Sequence, residues 1–155
     1  MGTLDVSTIN IFKNMKLKIF FSVFLLFLLN NCVGTGTKNL SQLSFQNKPG
    51  ESSMFFVRPE RFVAGGVRIG VFVDGQEIGK LGVGEMEKYP VKPGGHSVNI
   101  KSGDITGFGI SSDAYSIVAE PNKNYFFIID YDQGFFSQSW KITETSEQGF
   151  RKALN

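Results

Sequence analysis

The 155-residue chain carries 16 Lys and Arg against 14 Asp and Glu, with one histidine, one cysteine and 16 phenylalanines. Lys13, Lys16, Lys18 and Asp5 precede Cys32, so 13 bases and 13 acids remain from Cys32 onward and that part is formally neutral. Binding to the phosphate backbone of a nucleic-acid partner draws on a clustered excess of basic residues, which a neutral count argues against, and a single cysteine excludes an internal disulfide framework.

Lys16 and Lys18 lead into an uncharged run from Ile19 to Leu29, 11 residues long and within the roughly 7–15 of a signal-peptide apolar core. A membrane-spanning helix needs about 20 apolar residues, and Asn30 and Asn31 end this run well short of that. Residues 1–31 therefore read as a signal peptide with its start at Met15. The segment Leu29-Asn30-Asn31-Cys32 resembles a bacterial lipobox, with Asn30 and Asn31 where small residues are usual. That resemblance implies cleavage ahead of Cys32 and acylation of its thiol, which makes membrane lipid a partner. At about 0.8 kcal/mol per buried methylene, several acyl chains hold a domain to a bilayer while its polypeptide stays in water. Val33 after the cysteine resembles lipoproteins destined for the outer membrane, so the expected place is the bacterial cell envelope. The alternative is a core helix over Ile19 to Leu29 with Cys32 as a buried small hydrophobe.

Residues 32–53 are rich in Gly, Thr and Ser and read as the acylated cysteine plus a polar tether. Residues 54–155 are the size of one domain. Met54 to Arg58 is a short apolar strand stopped by Pro59. Val67, Ile69, Val71 and Val73 alternate with period two, and Asp74-Gly75 then predicts a type I′ hairpin turn into Gln76 to Leu81, with Ile78 and Leu81 inward. A weaker strand over Glu85 to Val91 ends at Lys92-Pro93-Gly94-Gly95, and the next alternates through His96, Val98 and Ile100. After a loop from Ser102 to Asp113 come Tyr115 to Glu120 and then Tyr125 to Tyr131, apolar on both faces and the best central strand. Phe135 to Thr143 carries Trp140 and Ile142 on one face, and the spacing of Thr145 and Gln148 suggests a capping box on a short C-terminal helix. Seven or eight short strands with frequent turns predict an all-β fold, an antiparallel β-sandwich.

The elements Phe55-Phe56-Val57-Arg58-Pro59, Val71-Phe72-Val73-Asp74-Gly75 and Tyr89 through Pro93-Gly94-Gly95-His96 carry a resemblance. Over residues 53–143 the chain is similar to a bacterial lipoprotein domain of unknown function, family 2846, and more distantly to PEGA surface modules. The resemblance implies a lipid-anchored β-sandwich and supplies no catalytic residues.

His96 is the sole histidine, so no His-His metal pair can form, and its place beside Val98 and Ile100 suits a structural residue closing the Pro93 to Gly95 turn. Asp130 and Asp132 share a strand face, as do Glu85 and Glu87, and paired carboxylates can do acid–base work or bind Ca²⁺. No further acid is set beside either pair, so neither cofactor nor metal is expected. Phe135 and Phe136 put adjacent rings on opposite sheet faces, where one could meet a glycan. Three functional classes follow: a non-enzymatic envelope module for structure or interaction, a binding module for an envelope protein, peptide or glycan near Phe135, Phe136 or the Ser102–Asp113 loop, and a hydrolase using His96 with Asp130 or Asp132.

Overall fold

The computed structural model describes residues 35–61, 66–103, 109–133 and 138–154. Among these residues nine strands form in chain order: β1 Ser52–Val57, β2 Ile69–Val73, β3 Gln76–Leu81, β4 Met86–Val91, β5 Gly94–Ser102, β6 Ile110–Ser111, β7 Tyr115–Ala119, β8 Asn124–Gln133 and β9 Gln138–Thr145. A helix, α1, follows at Glu147–Lys152. The sheets run β4-β1-β8-β9 and β3-β2-β5-β6, with β7 also paired to β5. The strand beyond the eight read from the sequence is β6, two residues inside the Ser102–Asp113 loop that pair with Lys101 and Ser102.

The hairpin between β2 and β3 turns as its Asp-Gly pair dictates, with φ of 52° at Asp74 and 81° at Gly75. A bulge opposite Val71 and Phe72 leaves Ile78 as an extra residue on β3. Three positions apart, Ile78 and Leu81 would face opposite ways in a regular strand; the bulge lets both contribute to the core. Among the described strands every ladder is antiparallel except that of β1 with β8, which run parallel from Ser53 opposite Asn124 to Val57 opposite Ile128. A parallel pair needs a long crossover, and here β4 and the whole other sheet come between β1 and β8 in the chain.

The space between the sheets holds Met54, Phe56, Ile69, Val71, Leu81, Val98, Ile100, Phe127, Ile129 and Trp140. β8 is central, as its apolar run predicts, and it is apolar on its other face as well, because the outer side of its sheet is also covered. There Phe55, Val57, Met86, Phe126 and Phe150 form a second cluster with Leu40, Leu43, Phe45, Ile128, Ala153 and Leu154. Phe45 stacks on Phe55 at 4.9 Å and Phe55 on Phe126 at 5.0 Å, and α1 brings Phe150 edge-on to Phe55 at 6.2 Å. β1, between β4 and β8 and covered on both sides, is buried along its full length.

Residues 35–53 thus differ from the tether that their polarity suggests. Thr37 exchanges backbone hydrogen bonds with Met86 at 2.9 and 2.8 Å, and a 3₁₀ turn spans Leu40–Gln42. The Lys88 ammonium donates to the carbonyls of Ser44 and Gln46 at 2.6 and 2.8 Å, and Ser52 and Ser53 already belong to β1. Three apolar side chains among many polar ones suffice, because they land on an apolar sheet face that would otherwise meet water. The helix cap also shifts by one residue. Ser146 is the N-cap and accepts from the Gly149 N–H at 3.1 Å, while Thr145 ends β9.

Candidate functional site

Arg58 follows β1 directly, and Pro59 stops the strand there, so its side chain turns into the protein and is 3% exposed. Its guanidinium donates to the carbonyls of Val67 and Leu81, the latter at 3.4 Å, and lies over the Trp140 ring at 4.9 Å. Burial lowers its pKa, and the negative charge of Glu85 opposes that shift. Glu85 in turn takes two hydrogen bonds from Arg68, at 3.0 and 3.2 Å, and one from the Gly82 N–H at 2.9 Å. Trp140 donates its indole N–H to Ser102 at 2.9 Å and packs against Tyr131 at 4.9 Å. Periodicity reads Arg58 as the end of a strand; a lone cation after an unbroken apolar run was the available signal for a buried one.

His96 sits where the β2–β3 hairpin turn meets the β4–β5 connection between the sheets. Its Nδ1 is 2.7 Å from the Asp74 carboxylate and its Nε2 is 2.7 Å from the Lys92 carbonyl oxygen. Both neighbours are acceptors, so both ring nitrogens donate in this geometry, which is that of the imidazolium. The pKa of His96 is raised, first by the bond to Lys92; burial opposes that shift, and the hydrogen bond and charge of Asp74 add to it. That of Asp74 is lowered by the His96 bond and by the Ser97 N–H at 2.9 Å. With both nitrogens engaged, neither is free to take a proton from a hydroxyl. The partner is Asp74, whereas Asp130 and Asp132 lie on the other sheet.

The paired carboxylates take different surroundings. Asp130 meets Arg61 at 3.5 Å and lines a cleft of about 560 Å³ with Pro59, Ile128, Lys152 and Ala153. Asp132 opens instead on a cleft of about 330 Å³ with Asp113, Tyr115, Ser139, Trp140 and Lys141. The Tyr115 hydroxyl donates to Glu144 at 2.6 Å, which raises its pKa. Glu85 is committed to Arg68, while Glu87 points between the sheets at their β3 and β4 edge. Burial raises its pKa against the Thr35 hydroxyl, and its Oε2 is buried without a hydrogen-bond partner among the described residues.

No protein-family model, curated protein or solved structure matches this chain. Among the described residues there is no group of three or more His, Cys, Asp and Glu side chains able to hold a metal ion. No helix among them is long and apolar enough to cross a membrane. Cys32, Phe135 and Phe136 lie outside the described residues. What the geometry offers is a mostly-β module whose polar side chains tie loops to strands, with two open clefts at its surface.

Proposed function

We propose that this chain is a bacterial envelope lipoprotein, similar to family 2846, whose β-sandwich serves a structural or interaction role without catalysing a reaction. The observation that carries the reading is the order of Lys16 and Lys18, the apolar run Ile19 to Leu29 and Cys32. The fold supports the non-enzymatic part, since His96, Glu85 and Arg58 are each engaged in joining segments distant in sequence. Expressed in a bacterial host, the protein incorporates labelled palmitate and enters the detergent phase on phase separation. Cys32→Ser abolishes both. A wild-type chain that stays in the aqueous phase without label overturns the anchor.

A second reading, a glycan-binding module, draws on the cleft between β7 and β9. Asp113, Asp132, Ser139 and Lys141 there place hydrogen-bonding groups beside the Tyr115 ring, the mixture that sugar hydroxyls and ring faces use. Pull-down on peptidoglycan fragments tests it, and unchanged retention of an Asp113→Asn, Asp132→Asn double variant removes this cleft as the site.

A further inference from the structure

The described chain enters the sandwich at one edge, before it crosses the outer sheet face. The Thr35 hydroxyl accepts the Lys80 backbone N–H of β3 at 3.0 Å, and two residues on Thr37 bridges Met86 of β4. Gly36 passes between them so closely that a Cβ would lie 2.6 Å from Leu81 Cδ2 and 2.9 Å from Glu85 Oε2. β3 and β4 are the first strands of their sheets; β9 and the β6 and β7 pair lie at the opposite edges. The cleft of Asp113, Asp132, Ser139 and Lys141 belongs to those far edges.

Cys32 is three peptide units from Thr35 in sequence, a reach of about 11 Å at 3.8 Å per Cα step. A free tether of about 20 residues would have a root-mean-square span of roughly 25 Å and let the domain turn in any direction. We propose that in the acylated protein the β3 and β4 edge, around Thr35, Lys38, Lys80 and Gly84, rests on the phospholipid surface. The β9 and β7 edge, with its cleft, then faces away from the bilayer. This rests on acylation of Cys32 as proposed above. The occupant of the near edge follows from where the chain leaves the domain and how little of it separates Thr35 from the cysteine.

The surface itself suits headgroups of either charge. Lys80 pairs with Glu77 at 3.8 Å and Arg68 with Glu85 at 3.0 Å, while Lys38 is exposed beside Gly84. The far edge begins three strand spacings away across the sheet from β4 to β9, about 14 Å.

The full lipoprotein, reconstituted in phosphatidylethanolamine and phosphatidylglycerol vesicles, provides the test. Acylation consumes the only native thiol, so Lys80→Cys or Ser139→Cys introduces a unique site for a fluorescent probe. With nitroxide quenchers on the lipid headgroups, the probe at position 80 loses most of its emission and the probe at position 139 little. A spacer of about 15 Gly and Ser residues between Gly34 and Thr35 removes the difference. Equal quenching of the two probes in vesicle-bound protein without the spacer overturns the orientation and leaves the anchor standing. Failure to co-sediment with vesicles overturns the anchor, and the orientation with it.

Discussion

Asp74 and His96 show how single residues bind turns that the chain separates by 22 positions. The Asp74 pKa is lowered, so its contribution is present above its unfolded value of about 3.9 and lost as pH falls through the depressed folded value. The His96 pKa is raised, so its contribution is full below its unfolded value of about 6.5 and lost as pH rises through the raised folded value. The clasp is therefore strongest in mildly acidic solution. Asp74 is 51% exposed, so solvent screening holds the effect below about 1 kcal/mol. Thermal midpoints measured between pH 6 and pH 9 are expected to fall by up to about 5 °C in the wild type through this clasp and by less in His96→Gln. An identical pH slope in the two proteins would assign the dependence to other groups.

At the scale of elements, the segment 35–51 and α1 act together as the cover of the outer sheet face. Each is weak by itself: α1 has six residues, and the 3₁₀ turn has three. Phe150 is fully buried, so Phe150→Ala is expected to destabilise the domain by about 3–5 kcal/mol in urea denaturation. A chain that begins at Glu51 loses Leu40, Leu43 and Phe45 from the same cluster and leaves the Thr37 pairing site on β4 open. Such a chain is expected to unfold at lower urea and to bind a hydrophobic dye in native buffer. If it matches the full domain in both measurements, residues 35–50 are a tether after all. Their role was hard to read because composition reports a mean polarity, whereas covering a sheet needs only a few apolar residues at the right places.

For the whole molecule, β1 is the shared wall of both apolar clusters, sending Met54 and Phe56 to one side and Phe55 and Val57 to the other. Two cores on opposite faces of one strand should melt together. Trp140 is the only tryptophan and is buried between the sheets, while the second cluster lies outside them. Its fluorescence and the far-ultraviolet dichroism are expected to give one coincident denaturation curve, insensitive to reductant. Separate midpoints would show that the outer cluster unfolds on its own.

By itself the sequence determined the mostly-β class, eight of the nine strands, the Asp74-Gly75 turn, the central place of β8 and the inward set Val71, Val98, Ile100 and Trp140. These depend on alternation over a few residues and on turn chemistry, which act between near neighbours in the chain. Only the tertiary structure decided the parallel β1 and β8 pair, the burial of Arg58 over Trp140, the Asp74 and His96 clasp, and the docking of residues 35–51. Each joins positions far apart in sequence, and a pattern of local period two carries no information about which distant strand supplies the partner. The same reason applies to Asp130 and Asp132: a shared strand face placed them together, and the surrounding elements gave each a different cleft.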